Sequence, residues 1–252
     1  MSIIALYNIK GGVGKTAACV NLAYLASQEG KPVLLCDLDP QGAASFYLRI
    51  RPSKKYQAKY LLKSRTKVIK NIKGTDFENL DLLPAALSYR KLDLLLGEIK
   101  RSKDRLQEVL HSLQNEYHFI LIDCPPNITL VSENVFVAAQ LLLVPVIPTT
   151  LSMLSYQRLH RFLEKHHYES GKLLAFFSMV EQRKKLHRQI ISQSTGLELP
   201  FLHTQIPYSA EVEKMGLFRR PIVEHRPKAK ASLAYESLWQ ELKPFLKKQS
   251  IP

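Results

Sequence analysis

Cysteine is scarce in this 252-residue chain, with three residues, Cys19, Cys36 and Cys124, and no C-x-x-C spacing. A cysteine zinc site or a redox pair is therefore not indicated, and the three read as buried free thiols of a reducing cytosol. The length suffices for one large α/β domain over residues 1–252, able to bury a sizeable core without disulfides. Long apolar runs are also missing. The longest, around residues 135–147, is broken by Gln140 and Pro145, and the N-terminus lacks a charged-then-apolar signal pattern. A cytoplasmic protein is expected. Metal-binding histidine patterns are lacking too: His160, His166 and His167 share one predicted helix, but adjacent residues cannot face the same direction. No internal repeat, low-complexity tract or linker divides the chain.

Acidic residues are few. Against 36 Lys and Arg stand 22 Asp and Glu, a formal net charge of +14. Such an excess points to a polyanionic partner, nucleic acid first and an anionic membrane second. The charge is clustered. Residues 49–73 hold ten Lys or Arg and no acid; Arg183-Lys184-Lys185-Leu186-His187-Arg188 opens a predicted helix; Arg219, Arg220, Arg226, Lys228 and Lys230 form a third group.

What is present is organised around Lys10-Gly11-Gly12-Val13-Gly14-Lys15-Thr16. An apolar strand-like run, residues 2–7, precedes it, and a helical stretch, 16–29, follows. Glycines let the backbone N–H groups of Gly11, Gly12, Val13, Gly14, Lys15, Thr16 and Ala17 curl around phosphate oxygens, where the helix dipole adds to them. Lys15 would reach the terminal phosphates and the Thr16 hydroxyl would ligate Mg²⁺. The strict G-x-x-x-x-G-K-[ST] pattern asks for glycine where Ile9 stands; this chain instead carries an additional lysine, Lys10.

Further apolar runs at 32–36, 80–83, 119–122, 141–146 and 172–180, with a weaker one at 202–206, alternate with helical patterns at 103–116, 151–168 and 231–247. Unbroken apolar runs indicate strands buried on both faces, hence an α/β fold with a doubly wound, mostly parallel sheet flanked by helices. The second run ends in Asp37-Leu38-Asp39-Pro40-Gln41-Gly42 and the fourth in Asp123-Cys124-Pro125-Pro126. Carboxylates at these strand ends can lie beside Mg²⁺ or a water near the phosphates.

Together these segments resemble the ParA family of partition ATPases, within the deviant Walker-A class that also contains MinD and the nitrogenase iron protein. The matching pieces are residues 10–16, D-x-D-P-Q-G at 37–42 and the apolar strand with D-x-P-P at 119–126. Thr204-Gln205-Ile206-Pro207 with Arg220-Pro221-Ile222 resembles the family's adenine segment. The resemblance implies a P-loop NTPase fold with ATP and Mg²⁺ as cofactors. It makes Lys10 the signature lysine that crosses to the partner's phosphates in an ATP-bound homodimer, and Lys15 and Thr16 the cis phosphate lysine and Mg²⁺ ligand. Asp39 becomes the acid that positions the attacking water, with Lys10, Lys15 and Asp39 the catalytic set. Asp123 is the Mg²⁺-associated acid, with Asp37 beside it, and Pro207 lies against adenine. Arg219 and Arg220, then Lys184, Lys185 and Arg188, are the implied contacts to non-specific DNA. A ParB-like protein would stimulate hydrolysis on the nucleoid. With no DNA-reading domain ahead of the loop, the chain resembles the short ParA type.

The alternative is a MinD-like, membrane-associated positioning ATPase whose C-terminal helix carries an apolar stripe of Leu238, Trp239, Leu242, Phe245 and Leu246. Lys243, Lys247 and Lys248 flank that stripe and Pro244 interrupts it; Asp-Pro-Gln-Gly favours the partition branch, and no stable membrane association is expected. An iron protein would need a second cluster cysteine between residues 37 and 123, where there is none. A small-molecule phosphotransferase would need neither the extra lysine nor the basic excess. Residues 49–73 are the least family-like and read as an added DNA surface or a cargo-partner surface.

Overall fold

A computed structural model describes residues 1–63, 65–100, 102–194 and 199–248; the side chains of Lys63, Lys247 and Lys248 lie outside this description. Among these residues, eight strands form one sheet: β1 (Ser2–Leu6), β2 (Val33–Asp37), β3 (Lys73–Gly74), β4 (Leu80–Leu83), β5 (Phe119–Asp123), β6 (Leu141–Val146), β7 (Leu173–Val180) and β8 (Phe201–Pro207). Their order is β3-β4-β2-β5-β1-β6-β7-β8, and every pairing is parallel except β3 with β4. The seven apolar runs are all strands. Only β3, two residues long and without an apolar signature, is not announced by the sequence.

The pleat divides the sheet's side chains between two cores. Ile3, Ala5, Leu34, Cys36, Ile120, Ile122, Leu142 and Val144 point into one; Ile4, Leu6, Val33, Leu35, Leu121 and Leu143 point into the other. This alternation is hidden in the sequence because both faces are apolar. The second core also receives Ala18, Cys19 and Leu22 of α1 (Lys15–Ser27), a helix with no polar face of its own. All three cysteines are buried and free.

Helix ends differ from the expectations where local backbone decides. The helix expected over 151–168 is Thr150–Lys165, and His167 beyond it takes a left-handed φ of 57°, so the histidines do not share a helix. The 103–116 pattern contracts to a 3₁₀ turn and Arg105–His111. Helices at Ala43–Tyr47, Ala58–Lys63, Arg65–Asn71, Leu92–Gly97 and Leu130–Ala138 are short pieces that periodicity did not reveal.

The C-terminal helix, Lys230–Lys248, runs through Pro244 rather than stopping there. Proline leaves the Gln240 carbonyl without its helical donor, and Gln240 is exposed, so water can serve it. Leu238, Trp239, Leu242 and Leu246 are buried, and of the stripe only Phe245 shows substantial surface. Trp239 meets Phe119 edge-on at 5.4 Å and donates from Nε1 to Glu29 at 2.8 Å. This stripe is core, not a lipid-facing surface, and among the described residues no helix is long and apolar enough to cross a membrane. Leu242→Ala is accordingly expected to cost about 2–5 kcal/mol in urea denaturation. A change under about 0.5 kcal/mol, as for exposed positions, would contradict the packing.

Candidate functional site

The loop between β1 and α1 is held from below by Asn8. Its Nδ2 donates to the Pro145 carbonyl at 2.8 Å and its Oδ1 accepts from the Lys10 N–H at 2.9 Å. Gly12 and Gly14 adopt φ of 70° and 89°, in the left-handed region. At Gly14 a Cβ would stand 3.0 Å from Ser178 Oγ, so the position excludes side chains for space as well as conformation. No side chain caps α1 and its first turn holds no acid. The first N–H groups therefore keep both their donors and the positive end of the dipole for an anion.

Lys15 is buried, and its Nζ donates to the Lys10 carbonyl at 3.2 Å. Burial lowers its pKa, an effect that Asp123 and Asp39 oppose. Lys10 points elsewhere: its Nζ donates to the buried Ser152 Oγ at 3.1 Å.

The pleat explains why two acids meet this loop. Cys36 and Ile122 face the first core, so the next residues, Asp37 and Asp123, face the second, where α1 lies. They are register partners on adjacent strands, fully buried. Asp37 Oδ2 accepts from Ser45 N at 2.8 Å and Ser45 Oγ at 2.6 Å, while Ser45 Oγ accepts from Ala85 N at 2.9 Å. Among the described residues, Asp37 Oδ1 and both oxygens of Asp123 have no hydrogen-bond partner. Burial raises the Asp37 pKa to about 6, against the lowering effect of Ser45, and Asp39 adds to the rise. Burial, and then Asp37, also push the Asp123 carboxyl up, with Thr16 and Lys15 acting in the other direction.

Three orphaned buried carboxylate oxygens beside the Thr16 hydroxyl form an all-oxygen, anionic set. It fits a hard divalent cation, which binds through few protein oxygens and keeps water or phosphate for the rest. Among the described residues no group of three His, Cys, Asp or Glu stands together. Asp39 is half-buried at the rim, where its Oδ1 accepts from Gln41 N at 2.9 Å and fixes the turn.

Pro207 ends β8 and, with Gly14, Ala17 and Tyr235, lines a cavity of about 30 Å³. That is room for a water or two and not for a purine ring. The fold brings Lys15, Thr16, Asp37, Asp39, Asp123 and Pro207 to the carboxyl ends of the strands. Ser45, Ser152 and Ser178 join them without any local motif in the sequence. Asn8 carried a signal, a short polar side chain two residues before an N–H it accepts from.

The basic candidates stand apart from one another. Arg219, left-handed at φ 51°, stacks 4.6 Å over the Phe46 ring and donates from Nε to the Phe46 carbonyl at 2.9 Å. Arg220 pairs with Glu224 at 2.9 Å. Lys184 pairs with Glu181 at 2.5 Å, Arg188 donates to the Gln182 carbonyl at 2.6 Å, and Lys185 is exposed at the start of the Lys185–Ser194 helix. His187 does not belong to this surface: it is buried, its Nδ1 accepts from Glu181 N, and burial lowers its pKa.

Fold and loop together define a P-loop protein. An AAA domain family matches residues 1–175. Among similar proteins, the sporulation initiation inhibitor protein Soj of Bacillus subtilis is 31% identical over 249 residues, covering 95% of this chain and 97% of Soj. The chromosome partitioning protein ParA of Caulobacter vibrioides is 27% identical over 250 residues, 96% and 94% of the two chains. The structure of the septum site-determining protein MinD of Pyrococcus horikoshii, complexed with Mg-ADP, superposes with a TM-score of 0.80 at 23% identity, covering 100% and 99%. The chain belongs to the Soj/ParA family of P-loop ATPases.

The raised carboxylates have a thermodynamic consequence. A carboxyl whose native pKa lies near 6 and whose unfolded value is 3.8 holds an extra proton in the native state between those values. Stability of the nucleotide-free protein in chelator should therefore fall as pH rises from about 4 to 6, by an amount on the order of 2–3 kcal/mol for this group. Asp37→Asn should flatten that dependence and raise stability at pH 7.5, measured by urea denaturation; an unchanged profile would show that Asp37 carries no such penalty.

Proposed function

We propose that this protein is a Mg²⁺-dependent ATPase that partitions DNA or positions cargo, cycling between an ATP-bound homodimer that holds non-specific DNA and a released state after partner-stimulated hydrolysis. The observation that carries the reading is the division of labour between two lysines of one loop. Lys15 is buried, donates to the Lys10 carbonyl and feels Asp123 and Asp39 of its own subunit, whereas the Lys10 Nζ turns to the Ser152 hydroxyl. A cation so placed is available to a second subunit's phosphates, where it would meet developing charge only in the dimer.

In this scheme Lys15 and the N–H groups of residues 11–17 bind the phosphates. Thr16, Asp37 and Asp123 would hold Mg²⁺, which when bound supplies charge neutralisation at the phosphates. Asp39, on a turn that Gly42 allows by its φ of 66°, orients the attacking water. Pro207 borders the base. Arg219, Arg220, Lys184, Lys185 and Arg188 are the proposed DNA contacts. Joining two basic faces multiplies phosphate contacts, so affinity rises steeply on dimerisation and collapses after hydrolysis. A ParB-like protein is the proposed stimulating partner, and the nucleoid the proposed location.

Lys15→Ala should abolish ATP binding in calorimetry; retained affinity would remove the nucleotide-binding assignment. Asp39→Ala should lower turnover at least 100-fold and leave an ATP-bound dimer in sedimentation, while Lys10→Ala should remain monomeric with ATP. A Lys10→Ala dimer would overturn the cross-subunit role. Replacing Arg219 and Arg220 with Glu should abolish DNA retention with basal ATPase activity intact. Loss of both would make Arg219 a support for the Ala43–Tyr47 helix rather than a DNA contact.

A further inference from the structure

Residues 49–73, ten cations without an acid, have no task in that cycle. They form the approach to the β3 edge of the sheet, through the helices Ala58–Lys63 and Arg65–Asn71. Packing does not need the charge, because Tyr56, Ala58, Leu61, Leu62 and Val68 supply the buried contacts. Arg49 and Arg65 are occupied by Asp76 and Glu116. Lys54, Lys55, Lys59 and Lys70 stand exposed.

A pocket of about 230 Å³ opens within this segment, bordered by Lys55, Tyr60, Lys67, Lys70 and Asn71. Asn71 is 1% exposed. Its Oδ1 accepts from Ser53 N at 3.1 Å, which fixes the amide orientation, and its Nδ2 is a buried donor without a partner among the described residues. Such a group is costly to bury unless something accepts from it. On the Tyr60 ring rest two ammonium groups, Lys59 at 5.4 Å and Lys67 at 5.3 Å, so positive charge is gathered over an apolar plate. Among the described residues, no Asp or Glu lines the pocket. A lining of ammonium groups, a tyrosine ring and an amide suits an occupant that accepts hydrogen bonds and carries negative charge. The further cations Lys54 and Lys59 outside it favour a repeating anion over a solitary one.

We propose that this pocket seats a backbone phosphate of duplex DNA, with Asn71 Nδ2 as the buried donor and Lys55 and Lys70 as the flanking cations. It rests on the DNA-binding reading above and adds a contact independent of Lys184, Lys185 and Arg188. Those three lie between β7 and β8, at the other end of the sheet. Seven inter-strand spacings, roughly 34 Å, separate the two edges, so no single phosphate serves both.

The test is the salt dependence of ATP-loaded protein binding a 24-base-pair duplex, as log K against log[NaCl]. A seated phosphate contributes about 0.9 to the slope. Lys55→Ala with Lys70→Ala should therefore lower the slope by about 1 and weaken binding roughly tenfold at 150 mM salt, and the double Lys→Arg variant should restore both. Asn71→Ala, which removes a neutral donor, should weaken binding several-fold with the slope unchanged. The lysine pair is exposed and decides the matter if Asn71→Ala does not fold. Wild-type DNA binding that the lysine pair leaves intact overturns the proposal, as does loss of binding to phosphatidylglycerol vesicles with DNA affinity preserved. Wild-type protein without DNA affinity instead overturns the DNA-binding reading itself.

Discussion

Two carboxylates buried side by side under the amino end of a helix impose the order of everything near them. Asp37 and Asp123 sit on adjacent strands with three oxygens unpartnered, an arrangement that in isolation opposes folding. What makes it tolerable is the positive end of α1, the Lys15 ammonium and the Ser45 clamp on one oxygen. Protonation is the native state's relief when no cation is near, and a divalent ion with phosphates would provide the other. The site is thus built to gain from the ligands its chemistry invites.

Ser45 extends this constraint outward. It follows the Asp39 turn, binds Asp37 and Ala85, and precedes Phe46, on which Arg219 rests. The nucleotide loop and one basic segment thereby share a short helix, Ala43–Tyr47. A shift of the Asp39 turn would be felt at Arg219 through a carbonyl and a ring, without any long-range wire. This gives the C-terminal arginines a physical connection to the site that charge counting alone does not supply.

Much of this was legible beforehand for identifiable reasons. The glycine loop could be read because Gly12 and Gly14 need left-handed backbone and few residues accept it. The parallel sheet could be read because strands covered on both faces must be apolar throughout. The short helices Ala43–Tyr47, Ala58–Lys63, Arg65–Asn71, Leu92–Gly97 and Leu130–Ala138 could not, since each is held by tertiary contact rather than by an amphipathic period. Nor could the fate of the C-terminal stripe: an apolar face serves lipid or core equally well until a partner surface, here Phe119 and α1, is known.

Sequence by itself determined which residues carry charge, which can bend backwards and which must leave water, because these are properties of single side chains and their spacing. It therefore specified the phosphate loop, the acids at two strand ends and the family. Only the tertiary structure decided which of those groups face each other. The parity of the pleat turned Asp37 and Asp123 to the same side as α1, and burial there raised their pKa values. Chain folding likewise divided one basic excess into paired, buried and open cations, because an ion's partner is set by distance in space, which sequence separation does not fix.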